Sequence, residues 1–371
     1  MAFIFFDTNK SPTISKPKSE LSDYSLLTTV RENKEYFSPQ EIKGADLSRK
    51  FQEYLFFPGP NTFKHYVNNN LINNCKITAD DINRGELIYG PLEPYVAGHM
   101  VRHKPPVHNK IEKTPLPSMI AAHHSNIAMA MDFFFINGNI FFHTKTDKIN
   151  FLTTQYCTSR SLRTIMTALD KVINKYKSRS FNICNYHGDN EFDKQALKDF
   201  LQPALLHIYG RNEHVGPIER SVRTVKDRFR STCSNIPYKR ITILMVRSLV
   251  EAIIEVLNAF PSKNAISTTL SPSTIVEGKP KMNFNKNMIA FGAYALVYTD
   301  TSNNNTPRTV PAVALRMSNN AGGHYFMSLH SGKRIHGYKW TELSIDKHVI
   351  ERVEQLAAKE DQPIMHRRML F

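Results

Sequence analysis

The chain has 371 residues, of which 41% are hydrophobic, and this length and composition suffice for two or three small domains with buried cores. Lysine and arginine number 48 against 33 aspartate and glutamate, so the net charge of +15 indicates a partner rich in phosphate. These values exclude an intrinsically disordered chain.

The first 97 residues divide into a polar lead-in and a helical region. Residues 1–37 are rich in Lys, Ser and Pro and predict a lead-in without a core. At Ser38 the sequence SPQE is a capping box with proline at the first helical position, and further caps are predicted at Thr62 and Thr78. We therefore predict a small bundle of short helices over residues 38–97.

Residues 98–120 predict an extended, basic, proline-rich linker, because almost no apolar period runs through them. Such a segment can follow a nucleic-acid backbone or act as a plain spacer, and the sequence leaves both open.

Strands and helices alternate over residues 121–262. Three apolar runs with tight polar turns predict consecutive antiparallel strands, at 127–136, 139–145 and 148–156. A helix, strand, helix, strand and helix follow, at 160–175, 181–186, 193–201, 205–209 and from Gly216. This order predicts a ribonuclease-H-like α/β core.

The helix that begins at Gly216-Pro217 has two stripes at helical spacing. The first is apolar and predicts a buried face, made of Ile218, Val222, Val225 and Phe229. The second flanks it and consists of Glu219, Arg223, Lys226 and Arg230. Glu219 by itself fits a helix-terminus charge that pairs with Arg223, so a metal-binding role requires carboxylates from elsewhere.

The last part of the chain predicts a small β-rich domain. Residues 263–345 hold short apolar runs between Asn, Gly and Ser clusters, with Ser331-Gly332 as a hairpin turn, and predict a β-barrel-like fold. Residues 346–371 predict a short helix and a tail. The longest apolar run, at 241–260, contains charged residues and predicts a core helix, so no membrane contact is expected.

Two further carboxylates complete a candidate site. Asp132 interrupts an apolar strand with Ala128 and Ala130 on its own face, and an ionised carboxylate there needs a cation, a metal or hydrogen bonds. Asp189 comes just past the end of the fourth strand, which neighbours the first strand in such a sheet, so Asp132, Asp189 and Glu219 should converge. Three carboxylates favour two Mg²⁺ or Mn²⁺ ions about 3.5 to 4 Å apart, suited to attack on a phosphodiester.

Other polar residues near these acids have simpler interpretations. We interpret Glu191 as a loop or supporting group, Asp193 as a helix N-cap and Glu213 as a loop anchor. His187 and His207 are predicted to be ordinary strand-end residues.

A family resemblance extends over roughly residues 40–355 and rests on five blocks between residues 130 and 343: AMDFFFINGNIFFHTK, HGDNEFDKQALKDFL, NEHVGPIERSVRTVKDRFR, LNAFPSKNAISTTLSPSTIVEGKP and GGHYFMSLHSGKRIHGYKWTEL. Together they resemble the integrases of copia-type LTR retrotransposons, in the Asp-Asp-Glu recombinase superfamily, and are closest to copia-like elements of algae and diatoms. The resemblance implies that Asp132, Asp189 and Glu219 are the catalytic, metal-binding triad. The expected DNA-binding residues are Asn212, His214, Arg220, Arg223, Lys226, Arg230, Lys333 and Arg334.

The chain departs from the family pattern in two ways. The interval from Asp189 to Glu219 is shorter than in most retroviral integrases. The paired His and Cys of a zinc-binding N-terminal domain are missing, because His65, His99, His103 and Cys75 have no C-x-x-C to complete the site, so no zinc is expected.

The resemblance implies a DNA integrase that trims the 3′ ends of element DNA and joins them to target DNA. It further implies double-stranded DNA as partner, a homo-multimer, and location in the nucleus or in an intracellular retrotransposon particle before nuclear entry. The chain lacks protease and reverse-transcriptase motifs, which indicates the integrase part of a polyprotein. Two alternatives stay open: a ribonuclease-H-type metal-dependent nuclease, and an inactive DNA-binding remnant.

Overall fold

The computed structural model of the chain describes residues 28–98, 113–210, 216–262, 265–282, 289–298, 308–318 and 322–365. The described residues form two five-stranded sheets and twelve α-helices. Most of the segment predicted as a linker, residues 99–112, and the DNA-binding candidates Asn212 and His214 lie outside the described residues, as does Glu213. No helix among the described residues is long and apolar enough to cross a membrane.

Five helices make up residues 30–98: α1 Val30–Lys34, α2 Pro39–Tyr54, α3 Pro60–Asn68, α4 Ala79–Tyr89 and α5 Glu93–Gly98. The predicted caps at Ser38 and Thr78 are confirmed, because each forms a complete capping box. The predicted cap at Thr62 is wrong. α3 begins earlier, with Gly59 as N-cap and Pro60 at the first helical position, where a missing N–H costs nothing.

A mixed α/β layer follows, with α6 Ser118–His123 leading into its first strand. Its strands are β1 Asn126–Ile136, β2 Asn139–Thr146, β3 Leu152–Cys157, β4 Asn182–Asp189 and β5 Leu205–Tyr209, in the order β3-β2-β1-β4-β5. β2 runs antiparallel to β1 and β3, and β4 runs parallel to β1 and β5. The predicted adjacency of the first and fourth strands is therefore confirmed.

Two strand boundaries differ from the predictions by more than one residue. The third strand begins at Leu152 rather than at residue 148, because Asn150 adopts a left-handed φ of 58° and closes a turn with Asp147. The fourth strand extends beyond residue 186 and ends with Asp189, which is thus the last residue of β4 and does not follow it.

The two faces of β1 have different surroundings. Ile127, Met129, Met131 and Phe133 are buried in a core shared with α7 Leu162–Lys177 and α8 Gln195–Leu201. On the opposite face, Phe134 is buried beneath α9 Gly216–Asn235 and α10 Ile243–Asn258, in a second core. Ala128, Ala130 and Asp132 also lie on that face but are only half-buried, so Asp132 stands at the margin of this second core.

The second sheet is antiparallel and consists of β6 Tyr294–Tyr298, β7 Thr309–Met317, β8 His324–Ser328, β9 Arg334–Gly337 and β10 Trp340–Leu343. Its order is β10-β6-β7-β8-β9, so β9 and β10 are the two edges. Only Tyr338 and Lys339 separate these edges along the chain, which requires the sheet to curl upon itself. A Cβ at Gly337 would overlap the side chain of Val297 on β6, which shows how closely the edges approach.

Two further helices pack against the sheets. The helix α11 Pro272–Glu277 falls within the predicted C-terminal domain, yet Ile275 and Val276 are buried in the core shared by β1 and α7. The helix α12 Lys347–Lys359, with Asp346 as its N-cap, packs against the antiparallel sheet through Val349 and Val353.

Candidate active site

Two of the three predicted acids lie on neighbouring parallel strands, Asp132 on β1 and Asp189 at the end of β4. In the parallel pair of β1 and β4, Ala128 faces Asn185 and Ala130 faces His187. The paired residues end there, and Asp132 and Asp189 each follow two residues later, close enough for the negative charge of Asp189 to raise the pKa of Asp132 after burial has raised it first. Small alanine side chains precede Asp132 on its face of β1 and leave it half-open.

The third acid, Glu219, is carried by a helix that packs on the same face of the sheet. Glu219 is exposed in the first turn of α9, whose buried residues include the predicted stripe of Ile218, Val222, Val225 and Phe229. That stripe is confirmed, and it packs α9 onto the same face of β1 that carries Asp132. Residue 219 therefore lies at the side of the helix that borders the sheet.

Electrostatics show that the acids are close to one another. The pKa of Asp132 rises from 3.8 to about 6, first because burial removes the carboxylate from water. The Phe133 N–H, which donates to Asp132 Oδ1 at 2.7 Å, lowers the pKa. The negative charges of Asp189, Glu219 and Glu191 raise it again. All four carboxylates thus share one electrostatic environment.

A buried phenylalanine fixes the turn that carries Asp189. Phe192 is fully buried and stacks on Phe133 with ring centroids 5.6 Å apart. It ends a 3₁₀ turn, Asn190–Phe192, that Asp189 caps by accepting a hydrogen bond from the Glu191 N–H at 3.1 Å. A Cβ at Gly188 would stand 2.8 Å from the Phe192 ring, so glycine is needed for this packing.

The same turn changes the roles predicted for its neighbours. The predicted N-cap role of Asp193 is wrong, because the 3₁₀ turn delays the helix and Lys194 occupies the N-cap position of α8. Asp193 instead pairs with Lys198 at 2.7 Å. Glu191 pairs with Arg160 at 2.8 Å, which holds this fourth carboxylate partly neutralised beside the site.

The basic residues predicted to bind DNA occupy two places. On α9, Arg220, Arg223 and Arg230 are exposed and Lys226 is half-buried. Arg220 donates to the Gly216 carbonyl at 3.1 Å, and Arg230 pairs with Asp227. Lys333 and Arg334 are exposed at the hairpin between β8 and β9.

The hairpin that carries Lys333 and Arg334 has the predicted turn. Gly332 adopts a φ of 68°, and its N–H donates to the Ser328 carbonyl at 2.8 Å. The Arg334 guanidinium lies over the Tyr325 ring, 4.6 Å from its centroid.

Sequence reasoning missed two residues of β2 that contact the start of α9. His143 lies opposite Asp132 in the β1–β2 register, and its Nε2 is 2.8 Å from the Ser221 hydroxyl. Lys145 Nζ donates to the Pro217 carbonyl at 3.4 Å. Burial lowers the pKa of His143 to about 4, so its imidazole is neutral at physiological pH. Alternation along β2 puts both residues on the face of Asp132, but only the register with α9 reveals their contacts.

The histidines interpreted as strand-end residues form a small cluster of their own. His187 and His207 stack across β4 and β5 with ring centroids 5.2 Å apart. The Tyr209 hydroxyl is 2.9 Å from His187 Nδ1, and His207 Nε2 is 3.2 Å from Asn185 Oδ1. Burial lowers the pKa of His187.

The donor set suits a hard divalent cation. Within the ranges that the structure describes, no three or more His, Cys, Asp or Glu side chains stand in an arrangement that could hold a metal ion. Burial first, and then the neighbouring negative charges, raise the pKa of Asp132, and a divalent cation among the carboxylates would relieve their repulsion. The residue types therefore fit Mg²⁺ or Mn²⁺, which prefer oxygen ligands.

The residues considered for zinc have other contacts. His65 Nδ1 is 2.9 Å from the Asn69 amide, and Cys75 Sγ donates to the Ile77 carbonyl at 3.7 Å. His99 and His103 lie outside the described residues.

No protein-family model matches the chain, and no curated protein matches it in sequence. Among solved structures, the chain is similar to the catalytic core domain of BIV integrase, with a TM-score of 0.31 and 15% sequence identity. The similarity covers 40% of this chain and 93% of the BIV domain. At this TM-score the similarity concerns part of the fold and carries nothing about chemistry.

Proposed function

We propose that the chain is a copia-type retrotransposon integrase with a ribonuclease-H-like core, which trims the 3′ ends of element DNA and joins them to target DNA. The observation that carries this proposal is the raised pKa of Asp132, which burial raises first and the negative charges of Asp189 and Glu219 raise further. A divalent cation bound by these carboxylates would offset their mutual repulsion.

Asp132, Asp189 and Glu219 would hold two Mg²⁺ or Mn²⁺ ions. When bound, the ions supply activation of the attacking oxygen and stabilisation of the leaving oxygen at a phosphodiester. Asp132 must lose its proton to act as a ligand, and with a pKa of about 6 it does so at neutral pH. The attacking groups in this proposal are water and then a DNA 3′-hydroxyl, so no side chain becomes covalently attached to DNA.

The DNA partner is supported by charge. The net charge of +15 favours a polyphosphate, and Arg223 and Lys226 follow Glu219 at helical spacing along α9. Phosphate contacts from this row would set the position of a strand next to the acids. The proposal further includes that the protein acts as a homo-multimer. Its proposed location is the nucleus, or a retrotransposon particle before nuclear entry.

The decisive experiment measures joining of a labelled LTR-end duplex to plasmid DNA with Mg²⁺ or Mn²⁺. We expect wild type to join, and Glu219→Gln to lose joining while retaining salt-sensitive DNA binding. Asp227→Asn is the matched control, because it makes the same carboxylate-to-amide change on an exposed residue of the same helix. Joining should survive in this control.

The other outcomes separate the alternatives. Cleavage of RNA in an RNA–DNA hybrid without DNA joining would identify a ribonuclease-H-type nuclease. Salt-sensitive DNA binding without metal-dependent stabilisation or joining would identify an inactive DNA-binding remnant. Joining by Glu219→Gln at the wild-type rate would refute the metal-binding role of Glu219.

A further inference from the structure

A fully buried histidine lies on β2, next to Asp132 of β1 and on the same face of the sheet. His143 pairs with Asp132 in the β1–β2 register and has no exposed surface. Phe134 packs edge-on against its ring, with centroids 5.7 Å apart. An imidazole enclosed in this way cannot meet a DNA substrate, so its polar atoms act within the protein.

The imidazole connects a strand to the first turn of α9. Its Nδ1 is 2.9 Å from the Thr153 carbonyl and 2.8 Å from the Thr154 hydroxyl, both on β3. Its Nε2 is 2.8 Å from the Ser221 hydroxyl, which in turn is 2.7 Å from the Ile218 carbonyl. His143 therefore bridges β3 to the residues that flank Glu219.

This bridge exists in either neutral tautomer. If Nδ1 carries the proton, it donates to Thr153, and the Ser221 hydroxyl donates to Nε2. If Nε2 carries the proton, it donates to Ser221, which then donates to Ile218, and the Thr154 hydroxyl donates to Nδ1. The hydrogen bond between Nε2 and Ser221 is present in both cases.

The first turn of α9 needs such support. The first N–H groups of a helix lack partners within the helix, so this turn is the first to fray. Two side chains of β2 contact this end of α9: His143 is hydrogen-bonded to Ser221, and Lys145 donates to the Pro217 carbonyl. Glu219 lies between these contacts and projects from an exposed position.

We propose that His143 is the positioning residue of Glu219. Its hydrogen bond to Ser221 fixes the rotation of α9 about the helix axis and the position of the start of α9 along that axis. Glu219 thereby stays within reach of Asp132 and Asp189. This inference rests on the proposed function for the metal-binding role of Glu219, but the fixation of α9 is independent of that role.

A matched pair of variants tests the bridge. A glutamine amide reaches the place of Nε2, whereas an asparagine amide reaches only that of Nδ1. His143→Asn should therefore break the hydrogen bond to α9, and His143→Gln should keep much of it. Ser221→Ala removes the same hydrogen bond from the other side, and Thr154→Val serves as control because it alters only the strand side of the ring.

Hydrogen exchange without metal is the first readout, over residues 216–222. We expect His143→Asn and Ser221→Ala each to accelerate exchange in this turn, and His143→Gln and Thr154→Val to leave it near wild type. The second readout is the Mg²⁺ or Mn²⁺ concentration needed for thermal stabilisation. It should rise about tenfold in the first two variants, as when a group that orients a metal ligand is removed. The double variant should add little.

Several outcomes decide the proposal. If His143→Asn and Ser221→Ala only lower the unfolding midpoint, with unchanged exchange at 216–222 and unchanged metal dependence, His143 is merely a core residue and the proposal is wrong. If exchange accelerates but wild type gains no stability from either metal, α9 is fixed as proposed and the metal-dependent function fails. Should His143→Asn not fold, Ser221→Ala decides alone, because it keeps the imidazole.

Discussion

The two five-stranded sheets bury their strands in different ways. In the mixed sheet, one face of β1 is fully covered, whereas Ala128, Ala130 and Asp132 on the other face are half-buried. In the antiparallel sheet, both faces of β6 are buried: Leu296 faces α10 and α12, and Val297 faces a separate small core. Ionisable groups therefore occupy a strand face in the first sheet and mainly hairpins and edges in the second.

This difference determines which kind of charged group each sheet can carry. A half-covered face next to the ends of parallel strands can hold carboxylates at a raised pKa, because part of their hydration is removed and part is kept. A sheet with two covered faces can offer exposed charge at turns, as at Lys333 and Arg334. Such charge is accessible to phosphate groups.

Removal of a carboxylate from the half-covered face should have the largest effect. We expect Asp189→Asn to lower both 3′-end trimming and joining at least about a thousandfold, because neither step retains its metal ligands. DNA binding should stay nearly intact, since the substitution removes a negative charge and no cation. Gel assays for trimming, joining and binding on one duplex measure all three, and strand transfer retained in this variant would contradict the assignment.

Core substitutions, one in each sheet, should lower stability equally but differ in their effect on metal-dependent stabilisation. Phe192→Ala and Phe326→Ala each remove a fully buried ring and should each cost about 3 to 5 kcal/mol of unfolding free energy. Only Phe192 supports the turn of Asp189, so only Phe192→Ala should weaken metal-dependent stabilisation. Denaturant titrations with and without Mg²⁺ test this expectation, and an equal loss of metal response in both variants would count against it.

The pH dependence of stability should reveal the raised pKa of Asp132. Its pKa is 3.8 ordinarily and about 6 in the fold, so the folded state binds more protons between these values and stability falls as pH rises through them. Without metal, the free energy of unfolding of Asp132→Asn should exceed that of wild type by about 1 to 2 kcal/mol at pH 7. This gain in stability should vanish near pH 4. Urea titrations in EDTA across this range measure it, and a gain independent of pH would refute the raised pKa.

The smallest effect is expected at the hairpin of the antiparallel sheet. Lys333→Ala or Arg334→Ala should weaken DNA binding severalfold and reduce the slope of log K against log salt by about 1 for each phosphate that the variant no longer neutralises. Neither should alter unfolding, because both side chains are exposed. Binding isotherms at several salt concentrations test this, and an unchanged slope would place the DNA elsewhere.

Local patterns were sufficient for much of the fold and pointed to candidate acids. Apolar runs between polar turns predicted β1 and β2 closely, because most of their residues are buried or half-buried, and the helical stripe predicted which side of α9 is buried. Asp132 was recognisable because a charge in an apolar strand is costly unless something compensates it. Asp193 was misjudged, because the packing of Phe192 against Phe133 produces a 3₁₀ turn that local signals do not encode.

The secondary-structure elements, the candidate acids and the basic charge could be predicted from the chain, since these follow from residue type and spacing. The surroundings of the acids depend instead on the packing of the elements. The raised pKa of Asp132 depends first on burial in the fold and then on charges from β4 and α9, and the hydrogen bond between His143 and Ser221 joins residues 78 positions apart. Such interactions depend on how elements pack across space, which spacing along a strand or helix does not specify.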